Sequence, residues 1–144
     1  EKLKELTRAQ DMSKEVIRAI KQSAEASTNR EAAHPQVQPI SCGRMADRAS
    51  PGMFGWSVGG KPRKVIIHLC QPGEKGVPLA YATYELDNCV LSSFTLKDEA
   101  DGAPSEEFEI SFTKISYDFM VTDTNNKQES AGKVTYDLVV NALL

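Results

Sequence analysis

The absences in this chain narrow its possible roles first. No stretch approaches the roughly 20 consecutive apolar residues an α-helix needs to cross a bilayer, so membrane insertion is not expected. The opening Glu1-Lys2-Leu3-Lys4-Glu5-Leu6 has none of the apolar core of a secretory signal. It begins on glutamate rather than methionine, which leaves room for residues upstream. Charge of one sign is not in excess either: 17 Lys and Arg stand against 20 Asp and Glu, for a net charge of −3. No basic stripe with interleaved aromatics occurs, so no nucleic-acid partner is expected. Cysteine is sparse and odd in number, Cys42, Cys70 and Cys89, with no short paired spacing. That argues for free thiols made in a reducing compartment rather than a disulfide framework. If the protein leaves the cell, it is expected to do so without the general export route.

What remains is one domain over residues 1–144, of ordinary composition at 40% hydrophobic and 26% charged. From residue 60 onward the chain reads as strands and turns. Lys64 to Cys70 is a β-branched run apolar on both faces, and Gln71 to Gly76 carries turn residues. Ala80, Ala82, Tyr84, Leu86, Val90, Phe94 and Leu96 then share one parity, the pattern of a sheet with one buried face. Asp87-Asn88 marks a bend. Beyond the loop 97–104, Phe108, Ile110 and Phe112 alternate, and the parity flips to Ile115, Tyr117, Phe119 and Val121. A flip inside one strand predicts a β-bulge near Thr113-Lys114. After a polar loop from Asp123 to Gly132, Val134, Tyr136, Leu138 and Val140 predict a last strand.

The first third is less regular. Ser50 as N-cap with Pro51 at the first helical position predicts one short helix, held by Met53, Phe54 and Trp56. In residues 1–26 a helical stripe of Leu3, Leu6, Ile17 and Ile20 is broken at Gln10 and Ser13. Residues 27–46 read as an extended loop, its part from Ser27 to Pro39 polar and bearing two prolines. The pattern as a whole predicts a β-barrel or sandwich.

Five segments stand in a telling order: Asn29-Arg30-Glu31-Ala32-Ala33-His34-Pro35, Asp47-Arg48-Ala49-Ser50-Pro51, Leu86 to Phe94, Pro104 to Ile115, and Lys133 to Leu138. Together they resemble the Hcp family, the tube protein of type VI secretion systems. The resemblance implies a mainly β fold: a compact antiparallel β-barrel with one short flanking α-helix, like that of phage tail tubes. It implies a homo-hexameric ring that stacks into a tube inside a contractile sheath, meets a tip spike protein, and carries small effectors in its lumen. It implies residence in the bacterial cytoplasm, then secretion by the protein's own apparatus, and no cofactor. It also places Asn29, Arg30, Glu31 and His34 at the contact between rings. The sequence departs from the family at its start: the opening strand reduces to about Leu3 to Thr7, and Val16 to Ser23, aligned with the second strand, is helix-prone. A strand is expected there, because tertiary context overrides propensity.

Other chemistry is weakly supported. His68 and Cys70 are two apart on one strand with Cys89 able to sit opposite, but a metal site needs more ligands and a nucleophile needs an orienting third residue. Glu99-Ala100-Asp101-Gly102 looks like part of a calcium loop, but Lys97 and Phe108 occupy its first and twelfth positions, where Asp and Glu are required. Neither a metal nor a catalytic residue is expected, and the chain is not expected to be an enzyme. The competing readings are a small monomeric barrel that binds a ligand, a Cys/His enzyme, and a tube protein specialised for cargo.

Overall fold

The computed structural model describes residues 11–13, 16–17, 35–73, 76–98, 102–123 and 127–144. Their elements, in chain order, are β1 (Asp11–Ser13), β2 (Val16–Ile17), β3 (Gln36–Val37), β4 (Ile40–Met45), helix α1 (Ser50–Gly59), β5 (Arg63–Pro72), β6 (Pro78–Lys97), β7 (Ser105–Ser111), β8 (Lys114–Thr122), β9 (Gln128–Asp137) and β10 (Ala142–Leu143). The sheet runs β1-β4-β7-β6-β8-β9-β10, with β5 also on β6, while β2 and β3 pair separately. Every pairing is antiparallel. The mainly β class with one short helix is as expected, but among the described residues the sheet does not close on itself.

β6 organises the fold. Its first half pairs with β5 on one side and β8 on the other, and its second half, from Val90, pairs with β7. The change falls at Asn88, whose φ of 55° is left-handed, a conformation Asn tolerates better than most residues. A second irregularity, between Leu91 and Ser93, leaves Ser92 as an extra residue against β7. The two reverse the side-chain alternation twice. Cys89 and Leu91 are therefore buried and Val90, expected inside, is exposed; past Ser92 the first parity returns, and Leu96, opposite Glu106, is exposed near the end of the strand.

The predicted bulge at Thr113-Lys114 is corrected accordingly. The chain leaves the ladder at Phe112-Thr113 and divides into β7 and β8, while the bulge sits on the facing strand. Thr113 stays anchored, its N–H donating to the Asp87 carbonyl at 3.1 Å and its carbonyl accepting from Leu138 N–H at 2.8 Å. Two boundaries also move. β9 begins at Gln128 inside the expected loop, and Leu138 and Val140 fall in a turn rather than a strand. Residues 40–45 are strand, not loop: Ile40, Cys42 and Arg44 alternate inward, and the charge on Arg44 hid the pattern.

The core gathers Ile40, Cys42, Leu86, Cys89, Leu91, Phe108, Ile110, Phe112 and Ile115 from four sheet strands and the β7–β8 junction, with Met53 from α1. Burying an aliphatic side chain such as Leu86 contributes about 1.5–3 kcal/mol, so this cluster is the main source of stability. α1 starts one residue earlier than expected: Ala49 is the N-cap, and Ser50 Oγ accepts the Asp47 N–H at 2.9 Å. Trp56 packs against the core and donates its indole N–H to the Lys61 carbonyl at 3.1 Å, while Phe54 stays half exposed, edge-on to Phe94. Gly60 ends the helix where a Cβ would overlap Trp56.

Candidate functional site

Asn29, Arg30, Glu31 and His34 lie outside the described residues, as do Leu3 to Thr7 and Glu99 to Asp101. Of the helix-prone second segment, Val16 and Ile17 form β2, paired with Val37 and Gln36. The second site suggested by sequence does not assemble. His68 is exposed, with Nδ1 3.1 Å from Thr83 Oγ1, and Cys70 is exposed beside it. Cys89 is buried in the core, where burial pushes its thiol up to about 11. Low-pKa, accessible thiolates are the reactive ones, and Cys89 is the opposite. No group of three His, Cys, Asp or Glu able to hold a metal occurs among the described residues.

The two faces of the β5-β6-β8-β9 sheet differ sharply. On one, Glu85 lies between Lys64 and Lys133, at 3.5 and 3.2 Å. The hydrogen bond from Lys133 is the main reason its carboxyl sits below the usual range, against opposing desolvation. Ser116 and Thr135 join across the strands at 2.8 Å, and Ser130 donates to Asp118. This face is built for water.

Residues opposite one another in an antiparallel ladder project from the same side. The register therefore sets three apolar rows on the other face: Val65–Leu86–Ile115–Tyr136–Leu143, then Ile67–Tyr84–Tyr117–Val134, then Leu69–Ala82–Phe119–Gly132. The first row reaches into the core through Leu86 and Ile115. Further along, the cover runs out: Tyr117 is 36% exposed, Phe119 41%, Val121 51% and Val134 55%. Tyr84 and Tyr117 rings meet at 5.0 Å, and burial, followed by Tyr117 and Tyr81, raises the Tyr84 hydroxyl above its ordinary value. Alternation announced this face in the sequence, but it cannot tell an apolar face that is covered from one that is open.

The outer side of the β4-β7-β6 sheet is polar. A shallow groove of about 280 Å³ there is lined by residues including Ser41, Gly43, Ser93, Thr95, Glu107 and Glu109. Lys97 holds Glu107 at 2.6 Å, and Ser41 donates to Glu109 at 3.4 Å. On the inner side, Arg44 is buried with Glu106 and also reaches Asp47 at 2.9 Å. Asp47 Oδ1 in turn accepts the Ala49 N–H at 2.7 Å, tying the ion pair to the start of α1.

A bent antiparallel sheet with one short helix is the fold of type VI secretion proteins of known structure. A solved type six secretion system protein superimposes with a TM-score of 0.82 at 14% identity, over 94% of this chain and 85% of its own. Hcp1 from Salmonella typhimurium gives 0.69 at 17% identity, over 94% and 83%. A type VI secretion system effector from Yersinia pestis gives 0.65 at 20% identity, over 90% and 82%. The chain belongs to the family described as "Type VI secretion system effector, Hcp", whose profile matches residues 1–119. No curated protein sequence matches it significantly.

Proposed function

We propose that this chain is a subunit of a type VI secretion inner tube: six copies close into a ring, and rings stack inside a contractile sheath. The tube is exported from the bacterial cytoplasm behind a tip spike by its own apparatus, with small effectors in the lumen. The observation that carries this reading is the family match over residues 1–119. A closed ring of identical copies needs a heterologous contact, one patch meeting a different one. Light scattering with negative-stain electron microscopy tests the reading. A mass near six times 15.8 kDa and ring-shaped particles are expected, and a monomer at every concentration sinks it.

The segment from Ser27 to Pro39 is proposed to govern stacking, through Asn29, Arg30, Glu31 and His34. Arg30→Glu sets like charge beside Glu31 and disfavours contact with any acidic surface of the next ring. Surface substitutions usually change stability by within about 0.5 kcal/mol, so rings and melting temperature should hold while tubes and secretion fall. Unchanged tubes would reduce this segment to a connector.

A further inference from the structure

We infer that the open half of the apolar sheet face, Tyr117, Phe119, Val121 and Val134, is covered by a second copy of this chain through the Val139-Val140 turn and Leu144 of that copy. The inference rests on the proposed ring and names the surfaces that close it.

Among the described residues, two apolar patches have no cover. The first is the half-face, continued at its corner by Leu143, which pairs with Tyr136 and is 71% exposed. The second is the turn between β9 and β10, where Val139 is 73% and Val140 63% exposed, with Leu144 at 69%. That turn is firmly built. Asp137 Oδ1 accepts both the Val139 and Val140 N–H, at 2.9 and 3.4 Å, and Leu144 N–H donates to the Thr135 carbonyl at 3.0 Å. Asn141 takes the left-handed conformation, φ 52°, that reverses the chain. A rigid hairpin thus presents two valines to solvent, which no packing within the described residues explains.

The half-face and its corner leave on the order of 400 Å² of apolar surface open, in the range of the largest patch on a typical monomer, which is often functional. Joined to the turn patch of a second copy, the two would supply about half of a standard interface of roughly 1,600 Å², the apolar centre that a polar rim surrounds. The charged face of the same sheet, with Lys64, Glu85 and Lys133, does not offer such a centre. Because the two patches differ, each copy gives one and receives the other, which is the contact a ring requires.

Two variants test this, each checked for folding by circular dichroism. The face variant carries Phe119→Lys with Val134→Lys, and the turn variant Val139→Lys with Val140→Lys. Each alone should fall from ring to monomer by light scattering. Mixed, they should form a dimer at about twice 15.8 kDa, because one retains the face and the other the turn. Rings persisting in either variant, or a mixture that stays monomeric, overturns the inference while the ring reading stands. So does unfolding of the face variant alone, which would show that the chain covers this face itself. A wild-type protein that is itself monomeric overturns both.

Discussion

Arg44 and Glu106 face each other across β4 and β7, both are buried, and the guanidinium Nε donates to Glu106 Oε1. The other end of Arg44 holds Asp47, so one cation joins a sheet strand to the start of α1. Glu106 Oε2 has no hydrogen-bond partner among the described residues. A buried pair with one oxygen unsatisfied is weak evidence for stability but strong evidence for mutual dependence.

Removing one partner should therefore cost far more than removing both. Arg44→Ala leaves the buried Glu106 carboxylate uncompensated and should destabilise by about 3–5 kcal/mol, and Glu106→Ala, which leaves Arg44 held only by Asp47, should fall at the lower end of that range. Arg44→Met combined with Glu106→Leu should lie near the wild type or above it. Urea unfolding of the three variants decides the matter: a double variant as damaged as the singles would mean that the pair itself carries the stability.

Asn88 offers a backbone test. Its φ of 55° suits Gly and Asn, whereas a β-branched residue is a genuine outlier there. Asn88→Val should lose about 1–2 kcal/mol or more, and Asn88→Gly should stay close to wild type. Equal thermal shifts in the two variants would show that the side chain, not the backbone, matters at the bend.

Cys89 predicts a loss of stability in alkali. Burial raises its thiol from 9.0 to about 11, so the folded state favours the protonated form. That contribution is fully present below pH 9 and is lost as pH rises from 9 through 11. Two pKa units correspond to roughly 2–3 kcal/mol. The difference in unfolding free energy between wild type and Cys89→Ala should shrink across that window. A gap for Cys89→Ala that is the same at pH 8 and pH 11 would refute the assignment.

Much of the sheet was legible from alternation. Strands containing Tyr84, Leu86, Phe108, Ile110 and Ile115 could be read because their apolar residues recur every second position. Reading failed where one residue broke the period. Asn88 shifts the inward face of β6 and Ser92 shifts it back, so between them Cys89 and Leu91 face the core where unbroken alternation puts Val90. Arg44 disguised β4 because a buried charge has meaning only beside Glu106, 62 positions away. The apolar half-face was visible as strand but not as open surface, since exposure depends on which elements stand over it. The four residues proposed for ring contact came from resemblance alone and lie outside the described region.

The central place of β6 also constrains how the chain can be made. On one side of it stands β5, earlier in the chain, and on the others β7 and β8, still to come. β4 must wait longer, since Ser41 and Glu109 are 68 positions apart. While a ribosome is still adding the residues before β7, β6 can pair only with β5, β1 with β4 and β2 with β3, and the inward side of β6 has only α1 to pack against. A lone hairpin is marginal in water, so little of this sheet is expected to hold before β7 and β8 are made. Partners separated this far in sequence fold slowly. A sheet whose central strand waits for two later partners is expected to gain from prompt completion of synthesis.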